Sequence, residues 1–92
     1  MDIPTFADML IAHERIKPHI HRTPVLTSRV IDGLTGASLF FKCENLQKAG
    51  AFKARGASNA VFSLSDTQAA QGVATHSSGN HGTCLAYAAD RR

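Results

Sequence analysis

Val73-Ala74-Thr75-His76-Ser77-Ser78-Gly79-Asn80-His81-Gly82 is the stretch that decides the fold. Its first four residues form a short β-prone run behind Gly72, which predicts a strand over 73–76. Ser77 to Gly82 is too rich in glycine and hydroxyl groups to continue that strand and reads as a tight loop. Thr83 to Asp90 then returns to small apolar helix formers. Upstream, Leu39-Phe40-Phe41-Lys42-Cys43 reads as a buried strand and Glu44 to Gly50 as a polar loop. Phe52, Gly56, Ala60, Val61 and Leu64 recur at roughly helical spacing, and Ser65 to Gln71 predicts a capped short helix closed by Gly72. The order strand, helix, strand, helix belongs to the α/β class. It predicts a mostly parallel sheet with helices packed on it and a right-handed crossover.

The N-terminal third supplies the lead-in. Thr5 and Asp8 have capping-box spacing, and Phe6, Met9, Leu10 and Ile16 fall on about one helical face, so a helix is expected up to Lys17, stopped by Pro18. Thr23-Pro24 makes His19 to Leu26 an extended connection, because the residue before a proline avoids the helical region. Ser28 caps a short helix through Leu34, and Thr35-Gly36 makes the turn.

Ninety-two residues hold one domain at most. With 43% hydrophobic and 18% charged residues, the composition is that of a folding chain. The net charge of +3 is scattered without interleaved aromatics, which argues against nucleic acid as a partner. No run reaches the length of a membrane span, and an acid stands near the N-terminus where a secretory signal carries bases, so no membrane is expected and a cytoplasmic location is. Cys43 and Cys84 are too far apart for a metal knuckle and are expected as reduced, packing thiols. Two strands are too few for a stable parallel sheet, so residues 1–92 are expected to be the opening segment of a longer protein or a truncated product of its gene.

Two segments carry chemistry, each at a junction of loop and helix N-terminus, where α/β folds bind ligands. In Lys48-Ala49-Gly50-Ala51-Phe52-Lys53-Ala54-Arg55-Gly56, Lys53 meets the positive end of a helix dipole, which favours the neutral amine that attacks carbonyls. A solvated lysine is the alternative. In Ser77-Ser78-Gly79-Asn80-His81-Gly82, backbone N–H groups and hydroxyls form a cradle for a carboxylate or phosphate. A plain strand-to-helix turn with capping side chains is the alternative. The spacing of Gly79 and Gly82 fits neither the Walker nor the dinucleotide pattern, and no G-x-S-x-G elbow is present.

Together with Thr23-Pro24-Val25-Leu26 and Phe41-Lys42-Cys43-Glu44-Asn45-Leu46-Gln47, these segments resemble the fold-type II pyridoxal-phosphate enzymes, within them the serine/threonine dehydratase and serine racemase group. The resemblance spans nearly the whole chain. It implies a three-layer α/β/α fold like that of the tryptophan synthase β subunit, of which the N-terminal part is present. It further implies pyridoxal 5'-phosphate as cofactor and a small amino acid as substrate. By the same resemblance Lys53 forms the Schiff base and serves as base at the α carbon. Phe52 helps pack the cofactor ring, Asn80 hydrogen-bonds its ring hydroxyl, and Ser77, Ser78, Gly79, Asn80 and His81 grip the substrate carboxylate. Ser78 is in addition a candidate second base, on the substrate face opposite the lysine.

The activity so implied is an ammonia-lyase that dehydrates L-threonine or L-serine to a 2-oxo acid and ammonia, as a homodimer or higher oligomer when full length. Serine racemisation and dehydration of 3-hydroxyaspartate are the enzymatic alternatives, and a non-catalytic truncated remnant with a structural role is the third. No metal ligand set is expected. His19 and His21 share a face at strand spacing without a third ligand, which favours structural or solvated roles.

Overall fold

The structure, a computed structural model, describes residues 2–92. Helix α1 (Phe6–Ile16) starts where the capping box requires: Thr5 accepts from the Asp8 N–H at 3.3 Å while Asp8 accepts from the Thr5 N–H at 2.7 Å. It ends at Ile16, ahead of Pro18. Of the apolar face read from the sequence only Ile16 is buried, where the C-terminal part of α1 meets α3 and Arg15 donates to Asn59 at 2.6 Å; Phe6, Met9 and Leu10 stay exposed.

Strand β1 (Val25–Leu26) and strand β2 (Phe41–Lys42) frame helix α2 (Arg29–Thr35). Ser28 caps α2 by accepting from the Ile31 N–H, and Gly36 ends it at φ 69°, a left-handed conformation that glycine adopts without steric cost. The two strands pair antiparallel, Val25 opposite Lys42 and Leu26 opposite Phe41. This ladder corrects two expectations. The buried strand over 39–43 contracts to two residues, with Phe40 and Phe41 exposed. The segment 73–76 forms neither strand nor helix and pairs with nothing, so no parallel sheet or crossover forms among the described residues. The cause is physical: a strand exists only where a neighbour offers N–H and C=O groups, and local sequence can supply extension but not the neighbour.

The polar loop expected over 44–50 winds into two 3-10 turns, Glu44–Leu46 and Lys48–Gly50. Helix α3 (Lys53–Phe62) follows, then α4 (Asp66–Ala70) with a capping box between Ser65 and Gln68, and finally α5 (Asn80–Arg91). Gly72 closes the α4 turn at φ 79°. The core lies between α3 and α5 and is built of small side chains: Ala51, Ala54, Ala57 and Val61 against Cys84 and Ala88. Small residues let the two helix backbones approach closely, but each buries little apolar area.

The buried face of α3 is therefore Ala54, Ala57, Ser58 and Val61; of the expected series Val61 is buried, while Phe52, Gly56 and Ala60 are exposed. Both spacings are helical, and only the position of α5 selects between them. Cys84 is a free, fully buried thiol whose burial raises its pKa, as a packing role requires, and Cys43 is free and half-buried. The radius of gyration is 16.2 Å, against about 12 Å for a compact domain of this length. The excess reflects α2 and the β1–β2 ladder standing out from the α3–α5 core with apolar side chains uncovered, among them Val30, Leu34 and Phe40. No helix of the described residues is long and apolar enough to cross a membrane.

Candidate functional site

Lys53 is the first residue of α3 and stands exposed. Its Nζ lies 5.4 Å from the centroid of the Phe52 ring, itself 61% exposed, and makes no hydrogen bond or ion pair among the described residues. The turn before it is tight, with Ala49 and Gly50 both left-handed at φ 56° and 66°. Gly50 takes that conformation freely; Ala49 adopts it at a cost of about 1–2 kcal/mol.

The second segment opens α5. Ser77 Oγ accepts from the Gly79 N–H at 3.2 Å, folding the loop back on itself, and the Gly79 carbonyl takes the Thr83 N–H at 3.2 Å as the first bond of the helix. The helix starts at Asn80, three residues earlier than the expected Thr83, so Asn80, His81 and Gly82 form its first turn. No side chain caps it, which leaves their N–H groups without acceptors among the described residues. Ser77, Ser78, Gly79, Asn80 and His81 are all exposed.

Helix direction brings these two starts to one end. Arg92, just past α5, donates to the Leu64 carbonyl at 3.1 Å and pairs with Asp66 at 2.8 Å, just past the end of α3. Helices that pack along their length and finish together run parallel, so Lys53 and the Asn80 turn open at the opposite end of the pair.

Sequence reading missed the polar anchors behind Lys53. Arg55 grips both oxygens of Glu44, Nε on Oε2 and Nη2 on Oε1, each at 2.8 Å. The Thr23 hydroxyl donates to Glu44 Oε1 at 2.6 Å, and Lys42 Nζ donates to the Thr23 carbonyl at 2.7 Å. Arg55, which holds the ion pair, is the main cause that lowers the Glu44 carboxyl to about 2. Gln47, 4% exposed, clasps the His21 backbone with its amide, accepting from N–H and donating to C=O at 2.8 Å each. Polar residues whose partners lie 21 and 26 positions away carry no local periodicity. Their appearance in the quoted motifs was the one available signal.

His19 stacks on Phe62 with centroids 3.7 Å apart, and Tyr87 donates to its carbonyl at 2.7 Å, so its role is structural. Among the described residues no three His, Cys, Asp or Glu side chains gather as a metal group would require.

The profile of the family described as "Pyridoxal-phosphate dependent enzyme" matches residues 16–92. The β-hydroxyaspartate dehydratase of Paracoccus denitrificans (strain Pd 1222) is 72% identical over 89 residues, covering 97% of this chain and 28% of that protein. The serine racemase of Arabidopsis thaliana is 68% identical over 78 residues, covering 85% of this chain and 24% of that protein. Among solved structures, serine racemase from Dictyostelium discoideum superposes with a TM-score of 0.92 at 56% identity, covering 95% of this chain and 29% of that one. A threonine deaminase from T.th. superposes at 0.81 with 44% identity, covering 96% of this chain and 31% of that one. The chain thus spans about a quarter to a third of the length of these relatives. With motif, geometry and three-dimensional likeness in agreement, the chain belongs to the pyridoxal-phosphate dependent enzyme family and carries part of its fold-type II architecture.

Proposed function

We propose that this chain is the N-terminal segment of the catalytic domain of an ammonia-lyase. Its substrate is a small β-hydroxy-α-amino acid, L-serine, L-threonine or 3-hydroxyaspartate, and its products are a 2-oxo acid and ammonia. The observation that carries the reading is the placement of Lys53, an exposed amine without a protein partner, at the same end of the α3–α5 pair as the unbonded N–H groups of Asn80, His81 and Gly82.

These residues fit pyridoxal phosphate: a free primary amine suits its aldehyde, and an exposed aromatic ring stands beside that amine. Lys53 would hold it covalently, Asn80 through its ring hydroxyl, and Phe52 by packing. When bound, the cofactor supplies a carbonyl for amines to condense with and a ring that draws electrons from the bonds at the α carbon.

The chain's own part is binding and proton transfer. The hydroxyls of Ser77 and Ser78 and the free N–H groups at the start of α5, reached across Gly79, hold the substrate carboxylate, where the helix dipole also favours an anion. A fixed carboxylate would orient the α C–H bond toward Lys53, whose Nζ, set free as an amine once the substrate amine takes its place, would take the proton. The β-hydroxyl departs with a proton as water. The unsaturated amine then hydrolyses in solution, consuming a water and releasing ammonia with the 2-oxo acid.

The relatives named as a β-hydroxyaspartate dehydratase and an L-threo-3-hydroxyaspartate ammonia-lyase, the latter 51% identical over 89 residues, support elimination. A second reading, racemisation of serine, is favoured by Ser78, an exposed hydroxyl in the candidate carboxylate loop. The reading extends to a cytoplasmic homodimer or higher oligomer: two free cysteines suit a reducing compartment, and the uncovered apolar side chains offer surface for further subunits or domains. The test is to incubate the full-length enzyme with L-serine, L-threonine and 3-hydroxyaspartate and measure 2-oxo acid and ammonia together. Equal molar release from at least one substrate is expected. Inversion of serine with no 2-oxo acid from any of the three would replace elimination by racemisation.

A further inference from the structure

We propose that Glu44, acting through Arg55, is a positioning residue for Lys53: the carboxylate holds the first turn of α3 in the orientation that presents the lysine amine. The inference rests on Lys53 being the group that reacts with the cofactor.

Arg55 follows Lys53 by two positions, about 200° around the helix. Its guanidinium is partly buried on one side of α3 while the lysine stands exposed. Both carboxylate oxygens of Glu44 are engaged by this one guanidinium, a planar two-bond fork that restricts rotation as well as distance. The fork is itself anchored, because Oε1 also accepts the hydroxyl of Thr23, a residue 4% exposed. The Cys43 N–H donates to the neighbouring Pro24 carbonyl at 3.0 Å, joining the segment to the β1–β2 ladder. This carboxylate thus ties the start of α3 to a second structural unit, beside the packing of Ala51 and Ala54 against α5.

No side chain at the N-cap does the same work. Phe52 at the N-cap supplies no side-chain hydrogen bond, so the first turn lacks a cap. The preceding turn contains Ala49 in the left-handed region, a conformation that relaxes unless its surroundings hold it. Lys53 Nζ has no protein hydrogen bond, so its location follows from the backbone beneath it. A rotation of that turn that displaces the amine by about 1 Å is of the size that costs about 100-fold in rate.

The experiment uses the full-length holoenzyme with Glu44→Gln, Glu44→Asp, Arg55→Lys and, as a separate control, Lys53→Ala. Glu44→Gln keeps the shape but loses the charge and one acceptor, and Arg55→Lys loses the fork. Each is expected to retain bound cofactor, to lower kcat by about 10–100-fold with KM changed less than about 3-fold, and to shift the pH midpoint of the cofactor's absorbance change. Combining the two should cost little more than either alone, since both break one link. Glu44→Asp, which preserves the fork, should recover part of the loss and serves as the folded test if Glu44→Gln does not accumulate. Folded variants with unaltered kcat and absorbance profile would overturn the proposal, as would losses that vanish on cooling below the variant's lowered Tm. A borohydride-reducible adduct that persists in Lys53→Ala would instead overturn the assignment of Lys53, an outcome read independently of Glu44.

Discussion

Tyr87 on α5 donates its phenolic hydroxyl to the backbone carbonyl of His19 at 2.7 Å, joining parts of the chain 68 residues apart. The His19 ring in turn stacks on Phe62 at the end of α3, so one residue after α1 touches both core helices. Tyr87→Phe removes the donor and leaves that carbonyl without its partner. A loss of about 0.5–1.5 kcal/mol is expected, read as a lower urea midpoint of the full-length protein with an unchanged m value. An unchanged midpoint would mean that water replaces the hydroxyl at no cost.

The Glu44–Arg55 pair predicts an acid limb in stability. Glu44 has its folded-state pKa lowered from 4.5 to about 2, chiefly by the Arg55 bonds. A depressed carboxylate contributes stability that is fully present above the unfolded value and is lost as pH falls through the folded one. The contribution should therefore hold above about pH 5 and disappear progressively between about 4.5 and 2. Glu44→Gln should flatten the stability profile across that window, as measured by urea unfolding at successive pH values. A profile identical to the parent's would remove the pair as a source of acid sensitivity.

Lys53→Ala in the full-length enzyme should abolish both the borohydride-trapped cofactor adduct and turnover. Lys42, Lys48 and Lys17 serve as internal controls: Lys42 Nζ is already bound to the Thr23 carbonyl, and the other two do not sit at the start of α3. Peptide mapping of the reduced adduct reads the result directly.

Ser78→Ala separates elimination from racemisation. If Ser78 returns a proton to the face opposite Lys53, the change should suppress inversion of serine by about 100-fold or more while 2-oxo acid formation falls much less. Racemisation in the parent that survives undiminished would leave Ser78 with carboxylate orientation only.

The isolated 92-residue chain is expected to be inactive and to bind pyridoxal phosphate poorly. Its core is made largely of alanines around Val61 and Cys84, while Phe6, Val30, Leu34 and Phe40 remain exposed, so little apolar area opposes the entropy of folding. Titration with cofactor and a urea melt give the readouts. Serine or threonine deamination by the purified chain would contradict the expectation.

Capping and turn chemistry was legible in the sequence because each device is complete within a few residues. The Thr5–Asp8 capping box, the caps at Ser28 and Ser65, the turn at Gly36 and the closure at Gly72 all stand as read. The motifs around Lys53 and Asn80 likewise declared the family from residue identity alone. Which residues face the core was another matter. Along α3 the expected series Phe52, Gly56, Ala60, Val61 and the buried series Ala54, Ala57, Val61 are both helical and share only Val61, and α5 lying against the second buried it. The antiparallel pairing of Val25 with Lys42, the lack of a strand over 73–76, and the reach of Glu44 to Thr23 and Arg55 were decided in the same way. Dihedral preference and hydrogen bonds to near neighbours are properties of a short stretch of chain, whereas burial and strand pairing need a second surface, and tertiary structure alone brings that surface into contact.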